Sequence, residues 1–385
     1  MKNTFNKNAV AAKLQAALAG LTANTRKLRD YPDPVLIEGG NYPGVWLECA
    51  PLEGLVYGRH FPAVAKANHE IFFHFQRPDG YLPCFVWDNL IGASQIQMVV
   101  PIAATALETA LLTQDEAFLL RAYHSCTRWD DWLARHRDTR GTGLCEAFCE
   151  YDTGHDNSPR FHGLPKKCLN DDAALCPRAG ALPYLAPDLS ATVYGGRRAL
   201  AAMAQQLGKT ADAVMWNEKA EQIRAAILRH CFDPETQCFY DVDAENRFVR
   251  LVGDALTRVL GEHVVEQPLF EAIYRRHIRN PDAFWPPFPL PSIAVNDPAF
   301  VRGLPQNSWG GASQALTALR APRWMEHYGK QEDLRTLMEI WIGALLAAPE
   351  FMQQMSPWTG EFTTSAGYSP AMCVFIDFAR RLGLA

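Results

Sequence analysis

The sequence has no stretch of about 18 consecutive apolar residues, so it offers no candidate membrane span. It has no run of lysine or arginine. Its formal charge is −5 and its pI is near 6.1, which argues against nucleic acid or an anionic membrane surface as partner. Met1 to Gln15 lacks the apolar run of an export signal, and the expectation is a cytoplasmic protein. The 10 cysteines are scattered and read as reduced thiols. Cys145, Cys149, His155, Cys168 and Cys176 crowd together, yet their spacing fits no zinc pattern. No clustered acidic loop demands calcium. The glycine-rich stretch Glu38-Gly39-Gly40-Asn41-Tyr42-Pro43-Gly44 has no following Lys-Ser/Thr and no preceding apolar strand, which excludes a phosphate loop. Neither a metal nor a cofactor is expected. No internal repeat appears at a fixed period, so an open solenoid is disfavoured.

What is present is core-forming material in quantity. Hydrophobic residues make up 48% of the 385, and the 10 tryptophans exceed what packing alone requires. The periodicity predicts helices over 8–22, 61–75, 94–112, 116–135, 189–207, 211–231, 269–278, 309–319, 334–348 and 369–382. With uncertain ends, that is roughly ten to twelve helices. Residues 239–242 and 248–251 form a candidate β-hairpin. Very apolar helices alternate with amphipathic ones, as a closed ring of helical hairpins requires. The chain therefore reads as all-α: an N-terminal helix and lead-in over 1–35, expected as a lid or cap, then one barrel domain over 36–385.

The densest chemistry lies in Tyr151-Asp152-Thr153-Gly154-His155-Asp156-Asn157-Ser158-Pro159-Arg160-Phe161. No hydrophobic period runs through it, so it reads as a loop. Gly154 lets the backbone turn and Pro159 can open a helical turn. Asp152 and Asp156 stand four apart, and a neutral catalytic acid needs such a crowded, partly dry setting. Loops of this kind on rigid scaffolds are where sites collect.

Several stretches together resemble glycoside hydrolase family 63, in particular its smaller bacterial mannosylglycerate and glucosylglycerate hydrolases, within the six-hairpin (α/α)6-barrel glycosidases that include trehalases. They are Tyr42 to Ala50, Gln76 to Pro83, Asp152 to Arg160, Phe288 to Pro298, Asn307-Ser308-Trp309-Gly310-Gly311, Ser356-Pro357-Trp358-Thr359-Gly360-Glu361, and Gly367-Tyr368-Ser369. The resemblance implies an (α/α)6 barrel with short β-hairpins in its loops. It also implies an inverting α-glycosidase acting on a small glucosyl- or mannosyl-type glycoside.

The resemblance makes Asp156 the general acid. It places the general base four residues before the proline of the Ser356-Pro357 segment, where this chain has Gln353. An amide cannot take a proton from water. Either the base has moved to Glu361 or Glu350, or a glutamate was replaced to trap a substrate, or the chemistry differs. The departures at Ser356 and Gly310 speak against the second explanation. An epimerase or lyase on the same scaffold, or a sugar-binding homologue without turnover, is the alternative. Trp309 and the charge of Asp152 would help keep Asp156 protonated. Trp46 and Glu48 match family positions at the sugar subsite, and Glu48 can hold two adjacent hydroxyls. Trp87, Asp88 and Gln95 are further sugar-binding candidates, as is Asn157 beside the acid. Trp285, Trp309, Trp358 and Tyr368 are candidate ring-stacking walls. His155 reads either as a hydroxyl ligand or as a brace for the loop. Arg160 reads as a clamp for a carboxylate or as an ion-pair partner of Asp152. The expected partner is a small carbohydrate; homo-oligomerisation stays open.

Overall fold

The computed structural model describes residues 5–303 and 306–385. Among these, twelve α-helices account for nearly all regular structure: α1 (Lys7–Ala23), α2 (Ala50–Tyr57), α3 (Pro62–His74), α4 (Ile102–Thr113), α5 (Glu116–His136), α6 (Pro187–Gln206), α7 (Thr210–His230), α8 (Ala255–Gly261), α9 (Gln267–Ile273), α10 (Ala315–Met325), α11 (Gln331–Ala347) and α12 (Ser369–Arg381). No helix of the described residues is long and apolar enough to cross a membrane.

The even-numbered helices form an inner ring. Each packs on the next, α2 on α4, α4 on α6, α6 on α8, α8 on α10 and α10 on α12, and α12 closes the circle on α2. The outer helices lie against their inner partners: α3 on α2, α5 on α4, α7 on α6, α11 on α10 and α1 on α12. The shorter α9 follows α8 on the outside, where Phe270 stacks on Tyr328 at 3.8 Å. This is an (α/α)6 barrel. The sequence divides the two rings by polarity. α2 is buried along its whole length and α12 from Ser369 to Ala379, as a helix walled on all sides must be. α5 buries one stripe, is capped by Asp115 accepting from the Phe118 amide at 2.8 Å, and ends on Arg135 and His136 beside its C-terminal carbonyls.

α1 is the outer partner of α12, not a lid. Val10, Ala17 and Leu21 enter the common core, and a side chain at Gly20 would meet Met372 at 2.6 Å. The predicted helix at 94–112 begins only at Ile102; residues 94–101 are irregular chain, held to Asp152 through the Ile96 and Met98 amides. The predicted helix at 309–319 begins at Ala315, after a turn and a short strand. α2 and α8, two turns each, were too short for periodicity to reveal. The predicted hairpin pairs Asp241–Val242 with Phe248–Val249 and grows into a four-stranded sheet through Tyr184–Leu185 and Glu146–Ala147.

Because each inner helix returns through an outer one, the inner helices run the same way and their N-termini share one end of the ring. The segments entering those N-termini carry the short strands. They include 45–46 before α2, 184–185 before α6 and 313–314 before α10. Chain segments hundreds of residues apart therefore meet over one mouth.

Candidate active site

Asp156 sits in the segment that leads towards α6. Gly154, two residues earlier, has φ 64°, and a Cβ there would lie 1.7 Å from Glu48 Oε2. Asn157 follows in the left-handed region with φ 56°, which an asparagine tolerates. Pro159 then opens a single helical turn, with Ser158 Oγ accepting from the Arg160 amide at 3.3 Å. These constraints turn the Asp156 carboxyl inward. Its main-chain carbonyl accepts from the Trp309 amide at 3.0 Å, and its Oδ2 accepts from Asn307 Nδ2 at 3.0 Å. Burial pushes the Asp156 carboxyl up to about 7; the charge of Glu150 adds to this and Lys166 opposes it. The like charge is therefore Glu150, which accepts from the Asn157 amide at 2.6 Å, and not Asp152.

A chain of hydrogen bonds crosses from the acid to the segment before α12. Asn307 Nδ2 also donates to Tyr42 Oη at 3.0 Å, and Tyr42 donates to Gln353 Oε1 at 3.1 Å. Gln353 is thus the member of the 350–361 group brought to Asp156. Glu350 is exposed at the end of α11. Glu361 is exposed too and lines a groove of about 510 Å³ with Trp358, whose ring stands 5.4 Å from the Arg302 guanidinium and 6.5 Å from Phe300. Trp358 is 41% exposed, so it offers an open face at the mouth.

Beside the acid stands an aromatic patch separate from the main core: Trp46, Phe85 and Trp309, with Tyr42 and Trp87 partly covering them. Trp46 lies 5.4 Å from Tyr42 and 5.7 Å from Trp87. Tyr368 is fully buried behind this wall, where its hydroxyl donates to Glu38 Oε1 at 2.8 Å. It cannot stack on a sugar. Glu48 and Glu38 face each other: one oxygen of each and Cys49 Sγ lie within 4.8 Å of one another. Burial, then mutual repulsion with each other and Asp156, pushes Glu48 well above the usual carboxylate range, with Arg258 opposing. Glu53, one turn into α2, has both oxygens buried without a partner, and burial raises it to about 8.

Several candidates turn out to hold the scaffold. Asp152 Oδ1 accepts from the Ile96 amide at 2.9 Å, and its Oδ2 from Arg137 at 2.6 Å and the Phe148 amide at 2.8 Å. Arg160 pairs with Asp188 and Asp241, not with Asp152, through four hydrogen bonds of 2.6–2.8 Å. Because Arg160 can only donate, its 2.9 Å contact fixes His155 Nδ1 as acceptor, so the proton sits on Nε2, 3.3 Å from Asp254. Burial and then Arg258 hold His155 down at about 3, so it is neutral and braces the loop. Asp88 is on the surface, 3.5 Å from Arg26. Gln95 is buried and donates to Gln97 Oε1 at 2.7 Å. Asn157 Nδ2 donates to the Asn307 carbonyl at 2.8 Å, locking the two loops together. The cysteines resolve in the same way. Cys149, Cys168 and Asp152 gather, and Arg137 donates to two of them, to Asp152 at 2.6 Å and to Cys168 Sγ at 3.5 Å.

The profile of the mannosylglycerate hydrolase MGH1-like glycoside hydrolase domain matches residues 49–369. The chain belongs to this glycoside hydrolase family. The barrel is that of the GH63 mannosylglycerate hydrolase from Thermus thermophilus solved with Tris: TM-score 0.81 and 17% identity, over 96% of this chain and 100% of that one. The same enzyme with Tris and D-glycerate gives 0.79 and 18%, over 96% and 100%. Neutral trehalase Nth1 from Saccharomyces cerevisiae gives 0.71 and 13%, over 90% and 73%. No curated protein sequence matches the chain. Within this glycosidase, Glu38, Tyr42, Gln97, Glu150 and Asn307 are the site neighbours that sequence reasoning did not single out. Tyr42 and Asn307 lie inside the stretches that carry the family resemblance. Glu38, an acid opening a glycine turn, carried only a weak signal.

Proposed function

We propose that this glycosidase hydrolyses a small α-glucoside or α-mannoside with inversion, and that Asp156 is its general acid. The observation that carries the reading is the carboxyl of Asp156 raised to about 7 beside an aromatic wall, on a barrel whose relatives bind small polar ligands. A carboxylic acid that keeps its proton near neutrality can deliver it to a departing glycosidic oxygen. The relative's complexes with glucose and with D-glycerate support a hexosyl compound with a small aglycone. Trp46 and Trp87 are the apolar platform for the ring, and Glu48 the ligand for its hydroxyls. The base was expected between residues 350 and 361. Of that group Gln353 is in place but has no proton affinity, and the two carboxylates that flank it, Glu350 and Glu361, are both exposed. The test is hydrolysis of glucosylglycerate and mannosylglycerate by the native chain and by Asp156→Asn, with the anomer of the first-formed sugar read by NMR. Release of the β-anomer, abolished by the substitution, supports the reading. Gln353 also favours a second reading, a homologue that binds sugar without turning it over; calorimetric binding with no product from any glycoside would select it. An epimerised or unsaturated product would select a lyase or epimerase.

A further inference from the structure

Within the glycosidase reading, on which this inference rests, the unfilled role is the group that takes a proton from the attacking water. The pairing of Gln354 with Thr363 and of Met355 with Phe362 sets Glu361 opposite Ser356. That is three residues past Gln353, about 10 Å further along the strand. Glu361 is therefore displaced from the position where Gln353 meets Tyr42, and Glu350 points to solvent.

Glu38 occupies the same wall as Gln353. Its carbonyl accepts from the Ser369 amide at 2.8 Å, Gly39 bridges to Tyr368, and the Tyr368 amide donates to the Phe351 carbonyl at 3.0 Å. The turn it opens closes on Tyr42, the residue whose hydroxyl binds Gln353. Glu48 faces Glu38, with one oxygen of each within 4.8 Å, and is pressed against Gly154 in the loop that carries Asp156. Glu38 is 3% exposed, and no lysine or arginine pairs with it among the described residues. A neutral donor, Tyr368, holds one oxygen at 2.8 Å. Burial, then the charge of Glu53, pushes the Glu38 carboxyl well above the usual carboxylate range; Asp156 adds to this and the Tyr368 hydroxyl opposes it. Once ionised, Glu38 is therefore a stronger base than an exposed glutamate, where a guanidinium partner would have quenched it.

We propose that Glu38 is the general base of this enzyme, in the role that Gln353 cannot fill. As the water oxygen bonds to C1, its proton passes to the Glu38 carboxylate. As the bond from C1 to the leaving oxygen breaks, Asp156 gives that oxygen its proton. Solvent then returns one proton from Glu38 to Asp156, and no oxidant or reductant is needed. Glu48 stays a hydroxyl ligand.

The experiment uses the full chain with α-glucosyl fluoride and α-mannosyl fluoride, whose leaving group needs little acid assistance. The native chain is expected to hydrolyse one of them to the β-anomer. Glu38→Gln is expected to lower kcat at least about 100-fold with KM nearly unchanged, in line with loss of base catalysis. Azide is expected to restore turnover of Glu38→Ala as the β-glycosyl azide. Glu48→Gln is expected to act mainly on KM. If the Glu38 substitutions do not fold, Tyr368→Phe removes only the hydroxyl that steadies the carboxylate; its expected signature is a lowered kcat with the acid limb of the pH profile moved upward. Native activity with Glu38→Gln within threefold of it, or an unmoved profile in Tyr368→Phe, overturns the assignment and leaves the glycosidase reading intact. A native chain inactive on both fluorides and on glycosides sinks both.

Discussion

Asn307 and Asp156 stand 151 residues apart in the chain, yet the amide nitrogen of one donates to the carboxyl of the other at 3.0 Å. The loops before α6 and α10 supply the two groups, so the bond exists only once the ring has closed. A donor to a carboxylate favours its ionised form, opposing the burial that lifts Asp156 to about 7. In Asn307→Ala the burial remains and the donor is gone. The alkaline limb of the pH profile should therefore move above its native position near 7, by about half a unit to one unit, the size expected for one neutral hydrogen bond. Rates measured between pH 5 and 9 check this; a limb that stays put or moves down refutes it.

The same burial makes the ionised Asp156 a destabilising group. Its carboxyl is about 7 in the folded chain against 3.8 unfolded, so the folded state holds the proton more tightly. Stability from this residue is complete below the unfolded value and is lost as pH rises through the folded value. Asp156→Asn cannot ionise and escapes that loss. At pH 8 it should be more stable than the native chain by on the order of 1–2 kcal/mol, after discounting for contact with solvent, with the gap closing towards pH 4. On unactivated glycosides it should lose about 100- to 10,000-fold in kcat. Thermal melts at pH 4 and pH 8 beside rate assays separate the two effects.

The barrel was legible because its inner helices are apolar all round and its outer ones striped, a contrast that survives errors in helix ends. Asp156, the proposed acid, stands in a dense local motif that the sequence displays directly. The second half of the site was not legible. Glu38 acquires its surroundings from Tyr368 and Ser369, more than 300 residues away, and its only local mark is the glycine turn it opens. Asp152 and Arg160 look like active-site groups in the sequence for the same reason that Asp156 does, since all three are charged residues in one loop. Only their partners, Arg137 for one and Asp188 with Asp241 for the other, separate scaffold from chemistry.

Arg160 gives that distinction a measurable form. Its fork is taken up by two buried carboxylates, so it has no donor left for a substrate. Arg160→Met would leave Asp241 buried without its counter-ion and Asp188 with Arg258 alone, at 3.5 Å, a loss of about 3–5 kcal/mol. Lysine should rescue poorly, because one ammonium cannot reproduce two bidentate contacts. The expected phenotype is a lower melting temperature or insolubility, with KM of any folded fraction unchanged. A raised KM at native stability would instead make Arg160 a substrate ligand.

Gly154 tests whether the loop that carries Asp156 and the Glu48 carboxyl are mechanically joined. Its φ of 64° costs a residue with a Cβ about 1 kcal/mol, and the added methyl would meet Glu48 Oε2 at 1.7 Å. Glu48 would have to move, since the alternative is to shift the backbone that carries Asp156. Gly154→Ala should therefore raise KM about tenfold and lose about 1–2 kcal/mol of stability. In a Glu48→Ala background the methyl meets no carboxylate, and only the backbone cost should remain. The double-mutant cycle is expected to show a coupling of about 1 kcal/mol in kcat/KM. Strict additivity would mean that Gly154 serves the turn alone and that Glu48 is positioned by other contacts.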